Sequence, residues 1–150
     1  MQVFATVAEL KHKVGEELGV SDWIEVTQER IQLFADATGD HQWIHLDRER
    51  AQGGPFGTTI AHGFLTLSLL PEMSAKAFAV SDTRMGVNYG LNRVRFPAPV
   101  PSGSRLRGRF KLVKFEPLES GAQLTVEVKM EREGHDKPVC VAESVSRRFT

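Results

Sequence analysis

Two acids, two histidines and one amide crowd around a single tryptophan in the stretch Ala37-Thr38-Gly39-Asp40-His41-Gln42-Trp43-Ile44-His45-Leu46-Asp47. Asp40 and His45 are the pair with chemical potential. A carboxylate and a neutral imidazole on one water molecule can remove a proton and return one, which is general acid–base work near neutral pH. Their spacing sets a condition. Five residues apart, the two would stand about 140° apart on a helix and on opposite faces of a strand. They converge only in an irregular segment, which Gly39 and the lack of helical periodicity allow. The competing reading is a capping and turn cluster, because Asp near a helix end usually bonds backbone and a single histidine is usually structural.

A second feature lies downstream at Ala61-His62-Gly63. His62 and Gly63 fall in the first turn of an apolar segment, where main-chain N–H groups have no intrahelical partner and the helix dipole is positive. A glycine there leaves room for a ligand carbonyl, which is the design of an oxyanion hole. The alternative is that Gly63 only permits close packing.

The elements that must position these residues divide the chain in two. The first half reads as helices and loops. Val7, Leu10, Val14 and Leu18 recur at helical spacing and predict a short amphipathic helix. Thr27 is an N-cap for a helix through Ile31, Phe34 and Ala35 that Gly39 would end, and Asp47 caps a short helix at Arg48 to Ala51. Gly53-Gly54-Pro55-Phe56-Gly57 is a loop. From Ile60 to Phe78 the apolar residues cover nearly every side of a helix, with Pro71 set to kink it or end it early. An all-apolar helix must be enclosed. The second half supplies the cover: strand-like runs at Val87 to Phe96, Arg105 to Phe115, Leu124 to Glu131 and Val139 to Phe149. Turn signals separate them at Pro97 to Gly103, Pro117 to Gly121 and Gly134 to Lys137. An antiparallel sheet curved around a central helix, an α+β arrangement in one domain spanning residues 1–150, satisfies both halves. One sheet of this size covers the helix only in part, so a second copy of the chain is expected to complete the enclosure.

Composition excludes several functions. Nineteen Lys and Arg balance nineteen Asp and Glu, so nothing gathers phosphate backbone or anionic lipid, and nucleic acid and membrane are not expected partners. The N-terminal stretch is broken by Glu9, Lys11, Lys13, Glu16 and Glu17, unlike a signal peptide. The most apolar run, Gly63 to Leu70, is far shorter than the ~20 residues that span a bilayer, and a cytoplasmic location is the default. The single Cys140 leaves no internal disulfide, and its place in a core strand predicts an inert thiol. His41 and His45, four apart with Asp40 and Asp47 beside them, have the spacing that serves a metal on a helix, but Gly39 argues against a helix, and no metal is expected. Neither a Gly-x-Ser-x-Gly elbow nor a phosphate-binding glycine loop is present. Arg93, Arg95, Arg105, Arg107 and Arg109 alternate as on a solvated sheet face, with contact to coenzyme A phosphates the alternative.

Gly39-Asp40, then His45, then Ala61-His62-Gly63 ahead of an apolar helix resembles the hydratase 2 motif of MaoC-like proteins, the (R)-specific enoyl-CoA hydratases of the hotdog fold. Asn92-Arg93-Val94-Arg95-Phe96-Pro97-Ala98-Pro99-Val100 followed by Gly103 is similar to that family's downstream strand, and the likeness runs from about Trp23 to Val113. The segment from Gly39 to His45 most resembles a branch of single-domain MaoC-like dehydratases labelled nodulation-protein-N-like. The resemblance implies a hotdog fold, with an antiparallel sheet wrapped around a long central apolar helix. It implies Asp40 and His45 as the catalytic pair, the Gly63 N–H on the thioester carbonyl, and His62 and Gln42 in the oxyanion and substrate-binding set. Water would add to C3 of a trans-2-enoyl-CoA and give the (R)-3-hydroxyacyl-CoA, reversibly, in a homodimer that uses no metal or other cofactor. Where many of these enzymes read Asp-x-Asn-Pro, this chain has Gln42 and Trp43 in place of the Asn and Pro, so the amide rides on a longer arm and Trp43 either shapes the acyl pocket or fills core. Two other readings stay open: a hotdog thioesterase that directs water at the thioester carbon, and a non-catalytic acyl-thioester binding subunit.

Overall fold

A computed structural model describes all residues, 1–150. The strands follow in order: β1 (Gln2–Phe4), β2 (Glu17–Val20), β3 (Ile24–Val26), β4 (Phe78–Val80), β5 (Met85–Arg95), β6 (Ser104–Leu118), β7 (Gly121–Arg132) and β8 (Cys140–Phe149). The helices are α1 (Gln28–Thr38), α2 (Trp43–Leu46), α3 (Arg48–Gln52), α4 (Gly63–Ser68) and α5 (Leu70–Ala77). One antiparallel sheet runs β2-β6-β7-β8-β5, with β3 also paired to β6, while β1 and β4 form a separate parallel pair.

The sheet follows from alternation. Leu124, Val126, Val128 and Met130 of β7 are buried, and the residues between them, apart from Thr125, are not. Opposite them Leu106, Phe110 and Leu112 of β6 and Cys140 and Ala142 of β8 face the same core. Such a pattern buries one face and wets the other. Cys140 is fully enclosed, and burial pushes its thiol up to about 11. Pro117, expected in a turn, lies within β6 opposite Ala122, and the β6–β7 turn shrinks to Glu119 and Ser120.

Across the sheet's inner face lie α4 and α5, the hotdog arrangement expected of the chain. The expected single long helix is broken at Leu69. Its residue 71 is a proline without an N–H, and the chain restarts with Pro71 in the first turn of α5. Leu65, Leu69, Met73 and Ala77 recur every four residues and carry the buried stripe. Enclosure is one-sided, since Phe64 is 71% exposed. The expected amphipathic helix from Val7 to Leu18 is not formed. Val7, Leu10 and Leu18 are buried as its stripe would be, but the chain makes a 3₁₀ turn at Ala8–Lys13, reverses at Gly15 and enters β2, so Leu18 reaches the core from a strand and Val14 stays exposed.

Candidate active site

The site begins with the end of α1. Thr27 caps its start, accepting from the Arg30 N–H at 3.1 Å. Gly39 ends it with φ +83°, and its N–H donates to the Ala35 carbonyl at 2.8 Å. That left-handed step is cheap only for glycine, and it turns the chain off the helix axis one residue before Asp40. The segment is irregular only as far as Gln42, where the single turn of α2 begins and carries His45. Asp40 Oδ1 accepts from the Gln42 N–H at 3.2 Å. Asp47 then caps α3 through the Arg50 N–H. The capping and turn reading is thus met by both carboxylates, and Asp40 in addition faces His45.

The facing geometry is specific. His45 is buried, and its Nδ1–H donates to the Ile60 carbonyl at 2.7 Å. That bond leaves the lone pair on Nε2, 3.9 Å from Asp40 Oδ2. The gap is too long for a direct hydrogen bond, and one oxygen atom can bridge it. Asp40 is half exposed, so the pair sits at the boundary between core and solvent. Burial holds the His45 imidazole below its ordinary value. The Ile60 carbonyl and the Asp40 carboxylate oppose that, and His62 adds to it.

His62 is placed differently from the expectation. It is the N-cap residue of α4, not part of its first turn, and it makes no capping bond. Its ring is buried against the ring of His45, stacked at 3.8 Å between centroids and 25° between planes, and Phe34 lies tilted against it at 4.9 Å. Nε2–H donates to the main-chain carbonyl of Asp40 at 3.0 Å, and Nδ1 is buried without a partner. His62 therefore supports the pair and does not line the cavity. Gln42 also falls outside it: its side chain is exposed and makes no hydrogen bond. Trp43 packs against Gly54 and under Arg50, away from the cavity. His41 turns outward to Asp36 at 3.0 Å, which raises the imidazole above its ordinary value.

Asp40, His45 and His62 bring ligand atoms within 4.8 Å of one another, a trio that sequence spacing did not suggest. As a metal centre it fits poorly. Each ring donates one N–H to a carbonyl, which a metal-ligating histidine also does, so the obstacle is the stacking: near-parallel rings set the two remaining in-plane lone pairs side by side, whereas tetrahedral coordination needs them to converge.

His45 and Gly63 share a cavity of about 380 Å³ whose other walls include Ile44, Phe56, Ile60 and Phe96. A Cβ on Gly63 would meet the Phe96 ring at 3.0 Å, so any larger residue there would push the ring back from the helix start by a few tenths of an ångström. Two residues that sequence reasoning missed also bear on His45. The Gln28 Nε2 donates to the His45 carbonyl at 2.8 Å, and the buried Thr59 Oγ1 donates to Gln28 Oε1 at 2.7 Å. Gln28 is seventeen residues from its partner, and no local pattern signals that contact.

Residues 9–135 match the family model described as MaoC like domain. The chain is 57% identical over 148 residues to a protein of Mycobacterium tuberculosis named 3-hydroxyacyl-thioester dehydratase Z, covering 98% of each chain. It is 49% identical to Nodulation protein N of Rhizobium leguminosarum, covering 91% of this chain and 87% of that one. Among solved structures it is similar to an R-hydratase of Pseudomonas aeruginosa, with a TM-score of 0.79 at 23% identity, covering 97% of this chain and 86% of that one.

Proposed function

The chain belongs to the MaoC-like family, a family of hydro-lyases, and from that premise we propose that it hydrates a trans-2-enoyl-CoA thioester to the (R)-3-hydroxyacyl-CoA and runs the reverse dehydration. The observation that carries the reading is the 3.9 Å gap between Asp40 Oδ2 and the lone-pair nitrogen of His45, beside a cavity that also reaches Gly63. A water in that gap donates to both groups. Its oxygen attacks C3, its proton passes to the pair and is returned at C2, and the sum is one water added across the double bond. Charge on the thioester oxygen is held by the Gly63 N–H, which lies in the first turn of α4 where helix geometry offers no acceptor. The apolar walls from Ile44, Phe56 and Phe96 suit an acyl chain.

The name of the mycobacterial relative, a dehydratase of 3-hydroxyacyl thioesters, supports the same substrate class. Loss of enoyl absorbance with crotonyl-CoA tests it. Asp40→Asn and His45→Ala should each lower the rate on the order of a hundredfold or more. Full activity in both variants overturns the assignment, and release of free thiol in the same tube would point to hydrolysis.

The active unit is a homodimer. Strand β5 ends the sheet with an unpaired edge, and Val87, Tyr89 and Leu91 are exposed along it. The uncovered face of α4 adds Phe64. An open apolar edge of this length invites a partner strand. Light scattering should give twice the chain mass, and Tyr89→Lys with Leu91→Lys should shift it toward the monomer; a wild-type monomer at micromolar concentration would refute this.

A further inference from the structure

We propose that Gln28 is a positioning residue for His45, a side-chain clamp that holds the one-turn helix carrying the imidazole in register with the strand-like segment that fixes the ring. The inference rests on the catalytic reading of His45 given above.

Helix α2 is four residues long. A helix that short is unstable by itself, and the carbonyls of its last turn lack intrahelical partners. The carbonyl of His45 is one of them, and the chain leaves α2 at Asp47 with an extended backbone. Gln28 supplies the missing donor at 2.8 Å from the first turn of α1. The amide has one orientation. Thr59 donates its hydroxyl to the amide oxygen at 2.7 Å and is 1% exposed, and an inverted amide would set oxygen against the His45 carbonyl. Residue 59 directly precedes Ile60, whose carbonyl receives the His45 ring at 2.7 Å and whose N–H donates to Ile44 at 3.0 Å. One side chain therefore joins the main chain of His45 to the segment that orients its ring, and α1, α2 and the 58–61 loop meet there. Nothing else ties α1 to the carbonyl of the catalytic imidazole. Small displacements of such a group cost rate far more than affinity.

The test uses the full-length protein with Gln28→Ala, Gln28→Glu and wild type, read by crotonyl-CoA hydration and by NMR of histidine ring carbons. Gln28→Ala should lower kcat on the order of ten- to a hundredfold with KM nearly unchanged, and should move the His45 ring titration away from its wild-type position. Gln28→Glu keeps the acceptor for Thr59 and loses the donor, with a carboxylate pressed on a carbonyl. Its kcat relative to wild type should recover at acid pH, where the protonated carboxyl donates again, and fall as pH rises. A loss of packing alone would not produce that recovery. Wild-type kcat and an unmoved His45 titration in both variants overturn the clamp and leave the hydratase reading intact. Should wild type itself fail to hydrate, that reading falls, and the NMR titration still decides the clamp.

Discussion

Residues 39–63 and residues 104–149 are built on opposite principles. The later region is a three-strand ladder, β6-β7-β8, whose strands are held by long runs of paired main chain and by a core of Phe110, Leu112, Leu124, Val128 and Met130. The earlier region has one-turn helices, and its geometry comes from side chains reaching main chain far away: His45 to Ile60, His62 to Asp40, and Gln28 to His45. The ladder spreads its stability over many equivalent contacts. The site concentrates its geometry in a few, so one residue can be removed there with little effect on folding and a large effect on chemistry.

The sharpest way to break this contrast is a change in the ladder that damages stability but not rate. Leu124→Ala should destabilise by about 3 kcal/mol in urea unfolding, with kcat of the folded fraction unchanged. Gly63→Ala should do the reverse. The added Cβ meets Phe96 at 3.0 Å, so kcat/KM with crotonyl-CoA should fall roughly tenfold while the unfolding midpoint barely moves. Thr27→Ala removes the α1 cap and should cost about 1 kcal/mol of stability, with a smaller effect on rate.

The smallest effect is in pH. Burial holds the folded His45 imidazole below its ordinary 6.5, so the unfolded chain takes up that proton first. Stability from keeping the ring neutral is intact above 6.5 and declines as pH falls below it toward the depressed folded value. Wild type and His45→Asn should therefore differ in acid dependence of the unfolding midpoint in that window, and the acid limb of kcat/KM should lie below 6.5. An acid limb above that value would contradict the desolvated, neutral imidazole.

The same contrast explains what was legible in the sequence. The alternation from Leu124 to Glu131 announced its strand, and Thr27, Gly39 and Asp47 announced the caps, because each signal is local. Asp40 and His45 could be paired because the condition for their convergence was itself local, an irregular segment after Gly39. The N-terminal stripe misled because Val7, Leu10 and Leu18 are buried through a turn and a strand in place of a helix. The family resemblance puts His62 and Gln42 together in the oxyanion and substrate-binding set. What separates them is that His62 stacks against His45 while Gln42 points to solvent, a three-dimensional outcome. Gln28 was invisible for the same reason.

Cys140 carries a practical consequence. The chain's only thiol is sealed in the core, and at neutral pH almost none of it is thiolate, the form that attacks disulfide reagents. A chromogenic disulfide added to the native protein with an acyl-CoA therefore reports only the coenzyme A thiol that hydrolysis would release. The colour that would betray hydrolysis starts from a silent background, and a cysteine introduced anywhere on the surface becomes a unique handle for a probe.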